Sequence, residues 1–317
     1  MIRFALTGLA GYVAPRHLRA IRDTGNVLVA AADVHDSVGV VDGYFPDAAF
    51  FTEHERFDRH LEMLRRRGEG VGVVSVCSPN HLHDAHIRLA LRVGADALCE
   101  KPLVLNPWNL DALAELERDH GRRVWTVLQL RTHPALAALR ERLAANPRRA
   151  AVRLTYVAPR GRWYRYSWKG DANKSGGVTT NIGVHLFDLL LWLFGPVEGR
   201  AVHLHEAERA AGRLALARAD VEWFLSVDAA DRPADAPGPG PAYRAMVVDG
   251  QDVEFSSGFE DLHTRVYERT LAGDGFGIDE ARPSIELVHA LRQATATGGP
   301  AHPFVAGPDR TLAALAS

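Results

Sequence analysis

Two short clusters carry the residue types that moving a proton to or from a hydroxyl requires. The first is Glu100-Lys101-Pro102. The chain has only three lysines, Lys101, Lys169 and Lys174, against 34 arginines. A position that keeps lysine in such a composition points to a compact ammonium able to lose its charge, which a guanidinium does not supply. The second cluster is Gly183-Val184-His185-Leu186-Phe187-Asp188. Its imidazole and carboxylate, three residues apart, fall on one helical face. An imidazole oriented by Asp188 or a neighbouring group suits abstraction of an alcohol proton. Lys101 would hold the same hydroxyl or help carry its proton, so which of His185 and Lys101 is the base stays open.

A third cluster is built for a pyrophosphate. Gly8-Leu9-Ala10-Gly11-Tyr12-Val13-Ala14 joins an apolar run to a helical pattern. Glycines there let backbone approach a phosphate lying at the helix N-terminus. The spacing departs from G-x-G-x-x-G, because Ala10 takes the second glycine position and Gly11 follows one later. About twenty residues on, a second apolar run ends in Asp33, where a carboxylate would hold ribose hydroxyls. Asp36 adds negative charge, and no arginine or lysine lies between Asp33 and Ser37, which favours NAD over NADP. Cys77, Ser78, Asn80 and His83 end a third run, Glu100 and Lys101 a fourth, and Gln129 a fifth. With Gly8, Gly11, Tyr12, Val13, Ala14, Asp33, Asp36 and Ser37 they make up the expected cofactor contacts. The spacing His81, His83, His86 lacks a placed carboxylate, so no metal is expected.

Residues 151–175 carry a local charge of +5, from Arg153, Arg160, Arg162, Arg165, Lys169 and Lys174 against Asp171, within a protein of net charge −2. Tyr156, Trp163, Tyr164, Tyr166 and Trp168 are interleaved among them. Cations with stacking rings suit RNA or one anionic nucleotide. The remaining chain has no basic surplus, which favours a small anionic ligand and argues against nucleic acid. The expected substrate contacts are Arg160, Trp163, Tyr164, Lys174 and Asn181, together with Lys101 and His185.

These clusters need a scaffold that brings strand ends together. Ile2–Thr7, Val27–Ala32, Val71–Cys77, Ala97–Cys99 and Val124–Gln129 read as buried strands, and helical patterns separate several of them: one through Arg22, His83–Val93 and Asn109–His120. That alternation predicts a doubly wound parallel sheet over residues 1–125. Beyond it come a helix at Ala135–Leu143, a strand at Ala151–Val157 and the apolar helix Val184–Phe194. The strand candidates Ala201–Leu204, Val221–Val227, Tyr243–Val248 and Val253–Phe255 follow. The last two flank Asp249-Gly250, a hairpin turn signal, and Pro233–Pro241 reads as a loop. Residues 126–317 are therefore expected to form an α/β domain with an open, largely antiparallel sheet.

The length of 317 residues, with 47% hydrophobic and 24% charged, fits two globular domains. Two cysteines do not make a disulfide framework. The N-terminus lacks signal-peptide features, and Val184–Phe194 is too short to span a bilayer. A cytoplasmic protein with no membrane partner is expected.

Taken together, the glycine turn, the acid after the second strand, S-P-N-x-x-H, E-K-P and the G-x-H-x-x-D helix resemble the glucose–fructose oxidoreductase/inositol dehydrogenase/MocA family. Further stretches are similar to the bacterial UDP-N-acetyl-2-amino-2-deoxyglucuronate dehydrogenases within it. These are G-x-A-G-Y-[IV]-A-P-R-H at Gly8–His17, L-Q-L-R at Leu128–Arg131, R-G-x-W-Y at Arg160–Tyr164, S-W-K-G-D at Ser167–Asp171, T-N-I-G-V-H, and W-F-L-S-V-D-A at Trp223–Ala229. The resemblance implies a Rossmann domain paired with a sheet domain, and Lys101 and His185 beside the nicotinamide of NAD. It implies oxidation of the C3 hydroxyl of a UDP-linked N-acetylglucosaminuronate in surface-polysaccharide biosynthesis. It also implies 2-oxoglutarate as hydride acceptor in some members, and often a homotetramer. A family oxidoreductase for a free sugar or polyol, and a non-catalytic NAD-sensing regulator, are the competing readings.

Overall fold

In the computed structural model, which describes residues 1–236, 242–255, 257–299 and 302–306, small and β-branched apolar runs form the first sheet. Its strands are β1 (Arg3–Thr7), β2 (Val27–Ala32), β3 (Ala49–Phe51), β4 (Val73–Val76), β5 (Asp96–Cys99) and β6 (Val124–Thr126). The order is β3-β2-β1-β4-β5-β6, and every pairing is parallel. Strands buried on both faces read as continuous apolar runs, as β1 and β4 do. The helices between them are α1 (Ala14–Asp23), α2 (His54–Arg66), α3 (His83–Arg92) and α4 (Pro107–His120). Strand order reverses between β1 and β4, so their carboxyl ends flank the crevice where such sheets bind ligands.

Two elements here were missing from the sequence reading. β3 is a three-residue, half-buried edge strand. Helix α2 is dominated by charge, yet buries Phe57, Leu61 and Leu64 at the i, i+4, i+7 spacing of an amphipathic helix. The chain divides into two compact units, Met1–Thr132 with Glu260–Arg282, and His133–Phe259 with the residues from Pro283 onward. A contiguous division near residue 125 leaves Glu260–Arg282 in the second unit, whereas the helix Leu262–Leu271 belongs to the first. It buries Leu262, His263, Val266, Tyr267 and Thr270, and Val266 and Tyr267 join the core built by Phe4, Leu6, Leu18 and Ile21.

The second unit is built on a mixed, mostly antiparallel sheet. Its strands are β7 (Ala150–Val157), β8 (Val197–His205), β9 (Arg209–Leu216), β10 (Ala219–Ser226), β11 (Tyr243–Val248) and β12 (Gln251–Asp252). They lie in the order β12-β11-β7-β10-β9-β8, with β7 and β10 parallel and the other pairs antiparallel. The hairpin at Asp249-Gly250 forms with both residues at positive φ, 50° and 78°, but its second strand is Gln251–Asp252 rather than Val253–Phe255. Strand β9 was also missing from the sequence reading. The loop expected at Pro233–Pro241 lies partly outside the described residues, from 237 on.

Helices α5 (Pro134–Ala145), α6 (Trp163–Tyr166), α7 (Ala172–Ser175), α8 (Gly177–Asn181) and α9 (Val184–Phe194) complete the site-bearing part of this unit. Nine of eleven residues in α9 are buried, including Phe187, whose ring meets Trp223 edge-on at 5.2 Å. Among the described residues, no single helix is long and apolar enough to cross a membrane. Because Phe187 and Trp223 are both fully buried, Phe187→Ala is expected to cost about 3–5 kcal/mol in chemical denaturation. A loss below about 1 kcal/mol would mean that α9 is not anchored by this contact.

Candidate active site

The turn after β1 is shaped by what cannot fit there. Gly8 has φ +84°, and a Cβ on it would lie 2.5 Å from the backbone of Cys77 and Ser78; one on Gly11 would lie 2.9 Å from the Gly8 carbonyl oxygen. Gly8 thus lets the β1 and β4 ends approach each other, and Gly11 lets the turn close on itself, which is the steric reason for glycine at each. The Gly8 N–H donates to the Ala32 carbonyl at 2.8 Å, and the Gly11 N–H to the Gly8 carbonyl at 3.0 Å. Beside the turn opens a cavity of about 480 Å³, lined in part by Gly11, Tyr12, Arg16, Ser37 and Val40.

Asp33 ends β2 and closes over the turn. Its Oδ2 accepts from the Ala10 N–H and its Oδ1 from the His35 N–H, both at 2.9 Å. Each carboxylate oxygen keeps a second lone pair, so ribose hydroxyls and the turn can share it. Ser78 Oγ and Gln129 Oε1 are buried without hydrogen-bond partners among the described residues. A cradle kept clear of Cβ atoms, an acid at the end of β2 and orphaned polar atoms at strand ends together fit a dinucleotide. Tyr12 is 84% exposed; Asp36 and Ser37 are exposed and Asn80 is buried.

His83 departs from its expected cofactor role. Its ring is fully buried, with Nδ1 2.7 Å from the Pro102 carbonyl and Nε2 2.8 Å from the Ser78 carbonyl. The imidazole therefore braces the β4 loop against the Lys101–Pro102 loop, whose peptide bond is cis. Burial pulls its pKa below the ordinary value, against the two carbonyls, and the neutral ring donates its single N–H to one of them. The three histidines of H-x-H-x-x-H diverge: His81 is exposed, and His86 meets Thr7 Oγ1 at 3.1 Å.

Glu100 was expected to line the cofactor. Its carboxylate lies instead in a buried network, with Oε1 3.1 Å from His17 Nε2 and 2.9 Å from His263 Nε2, while Oε2 accepts from the Lys101 N–H at 3.2 Å. On the far side of His17, Nδ1 meets Tyr267 Oη at 2.8 Å, and that hydroxyl meets Ser75 Oγ at 2.7 Å. One proton assignment satisfies these contacts. Ser75 donates to Tyr267, Tyr267 to His17 Nδ1, His17 Nε2–H and His263 Nε2–H to an ionised Glu100. His17, Glu100 and His263 come close enough to hold a metal ion, but their donors and acceptors are matched without one.

Burial alone would raise the Glu100 carboxyl; the donors from His17 and His263 outweigh it and hold it well below its ordinary range. Burial likewise keeps His17 below its ordinary value despite the pull of Glu100. His17 lies in the glycine-turn motif with nothing local to mark its role, and His263 and Tyr267 stand outside every motif. Their only local signal is the four-residue spacing that puts them on one face of Leu262–Leu271.

In the second unit, α9 presents His185 with its ring edge-on to Tyr156 at 5.9 Å, and Asp188 lies buried one turn further. Asn181 Nδ2 donates to Tyr164 Oη at 3.0 Å, tying α8 to α6. Tyr164 is buried while Trp163 is 52% exposed, and Arg160 and Lys174 are exposed. Lys169 sits 5.0 Å from the Trp163 ring centre and 5.5 Å from that of Trp168, which makes it a packing cation of the aromatic segment.

The neutral buried rings set a pH dependence. Burial pulls His86 and His302 down to about 3 and lowers His17 as well. The unfolded chain takes protons near the ordinary value of 6.5 that these native rings refuse. Stability is therefore complete above that value and falls as pH drops, by up to about 1.4 kcal/mol per pH unit for each ring. Glu100 adds its loss only below 4.5, as pH falls through its native value. Calorimetry is expected to show Tm falling from pH 7 to pH 5; an unchanged Tm would contradict neutral rings. Glu100→Gln is expected to cost about 1–3 kcal/mol at pH 7 in urea denaturation, since it replaces charge-assisted hydrogen bonds with neutral ones and turns an amide N–H toward the Lys101 N–H.

Residues 2–128 match the oxidoreductase family, NAD-binding Rossmann fold, and residues 146–220 match that family's C-terminal alpha/beta domain. The crystal structure of the WlbA (WbpB) dehydrogenase from Thermus thermophilus with NAD and alpha-ketoglutarate is 55% identical with a TM-score of 0.90, over 95% of this chain and 97% of that one. The same dehydrogenase with NAD and UDP-GlcNAcA is 54% identical with a TM-score of 0.90, over the same shares of the two chains. The D-glucoside 3-dehydrogenase of Escherichia coli K12 is 28% identical over 143 residues, 43% of this chain and 40% of that one, so the chain spans less than half of that relative's length. The chain belongs to the Gfo/Idh/MocA family of oxidoreductases, with an NAD-binding Rossmann fold at its N-terminus.

Proposed function

We propose that this oxidoreductase converts the C3 hydroxyl of UDP-N-acetylglucosaminuronate to a ketone with NAD, in surface-polysaccharide biosynthesis. The observation that carries the reading is the 54% identity, over 95% of the chain, to a dehydrogenase crystallised with NAD and UDP-GlcNAcA. The companion structure with alpha-ketoglutarate supports 2-oxoglutarate as the acceptor that regenerates the oxidised cofactor. Gly8, Gly11 and the start of α1 would hold the pyrophosphate of NAD, and Asp33 its ribose. NAD, when bound, supplies the hydride acceptor.

The chain's own residues then handle substrate and proton. His185 takes the hydroxyl proton, and Lys101 holds the same oxygen and stabilises its developing negative charge. Glu100 acts on this step only through Lys101, whose backbone N–H it accepts. Asn181, fixed by Tyr164, and the exposed Arg160, Trp163 and Lys174 serve the sugar and the diphosphate. A cytoplasmic homotetramer completes the proposal.

The partial similarity to a D-glucoside 3-dehydrogenase favours one alternative, the same oxidation on an unactivated sugar. The two separate on UDP: a sugar-nucleotide enzyme is stabilised by UDP in a thermal shift assay, and a free-sugar enzyme is indifferent to it. Lys101→Ala and His185→Asn are each expected to lower turnover of UDP-N-acetylglucosaminuronate by about 100- to 10,000-fold, followed as NADH absorbance. Near-normal rates in both variants would refute these roles.

A further inference from the structure

Arg244 differs from Arg149, Arg153 and Arg213, which lie on or beside the same sheet. Arg149 pairs with Asp220 and Glu198, Arg213 with Glu222, and Arg153 also with Glu222. Arg244 has no acidic partner among the described residues. Its guanidinium lies among three aromatic rings, with centroid distances of 4.7 Å to Phe259, 5.0 Å to Tyr156 and 5.6 Å to Phe255. Its Nε is buried without a hydrogen-bond partner among the described residues.

Rings against the guanidinium hold a cation in place and strip its water, but they do not accept its in-plane N–H bonds. The half-buried Arg244 has a buried Nε–H with no acceptor among the described residues, and a bound anion would supply one. A planar carboxylate, taken through two parallel N–H···O bonds, is the ligand that such a fork matches. Register places this group at the reacting end of the site. Arg244 on β11 is paired with Tyr156 on β7, and the same Tyr156 ring lies edge-on to His185. The anion at Arg244 thus belongs to the part of the substrate beside the proton acceptor, while the exposed Arg160 and Lys174 suit a diphosphate.

We propose that Arg244 is a specificity-determining residue that binds a ligand carboxylate, selecting a sugar acid over the neutral sugar. A 2-oxo acid that enters the same site would present its carboxylate to the same fork. The sugar-acid half of this inference rests on the proposed function; the carboxylate preference itself does not.

The test measures Kd by calorimetry on the intact protein, NADH-loaded for UDP-N-acetylglucosaminuronate and for UDP-N-acetylglucosamine, which lacks the carboxylate, and NAD-loaded for 2-oxoglutarate, so that no ligand is turned over. In the unsubstituted protein the acid is expected to bind about 100-fold more tightly than the neutral sugar nucleotide. Arg244→Met is expected to reduce that ratio to near one and to weaken 2-oxoglutarate at least tenfold. Arg244→Lys, which keeps charge without the fork, should restore part of both. An unchanged ratio in Arg244→Met and Arg244→Lys, or equal weakening of both sugar nucleotides, overturns the proposal. If neither sugar nucleotide binds, the proposed function fails, and 2-oxoglutarate with free D-glucuronate becomes the probe. Loss of their binding in Arg244→Met then supports the carboxylate site, and failure of the unsubstituted protein to bind either overturns it.

Discussion

The carboxylate of Glu100 is the point on which the first unit turns. Buried acids are costly unless donors surround them, and the donors here come from distant parts of the chain: His17 on α1, His263 on Leu262–Leu271 and the backbone of Lys101. Fixing these groups to one charge also fixes where the Lys101 loop leaves β5. His83 braces the same loop from the other side, through the carbonyls of Ser78 and Pro102. Lys101 thus stands on a backbone held by two buried side chains, which restricts the geometry available to its own side chain.

The glycine turn solves a different problem by subtraction. Backbone from β1 and β4 meets where even one methyl group would collide, and the crevice at the reversal of strand order remains clear. Asp33 serves the turn and would serve a ribose with separate lone pairs of the same carboxylate. In the second unit, Tyr156 has an analogous double use, with one neighbour in His185 and another in Arg244.

Local chemistry made much of this legible. The parallel order of the first sheet follows from apolar runs alternating with helices, and Val184–Phe194 was read with its observed limits. Glycine at positions 8 and 11 and Asp33 were marked by position alone. What escaped the sequence was either too short or too distant. β3 has three residues. His263 lies 163 residues from the carboxylate it serves, and no spacing rule joins such positions. His83 looked like a ligand because it ends a strand, while its two carbonyl partners become visible only when both loops are folded. Arg244 was hidden by abundance, one arginine among 34, because only folding brings Tyr156, Phe255 and Phe259 around it.

The return of Glu260–Arg282 to the first unit has a consequence for the order in which the chain is made. A ribosome releases all six strands of the parallel sheet well before it releases His263 and Tyr267. During that interval Glu100 and His17 lack two of their partners, and the core against α1 lacks Val266. The first unit to be synthesised is therefore not the first that can be finished, because its closing piece emerges only after the sheet of the second unit has been translated.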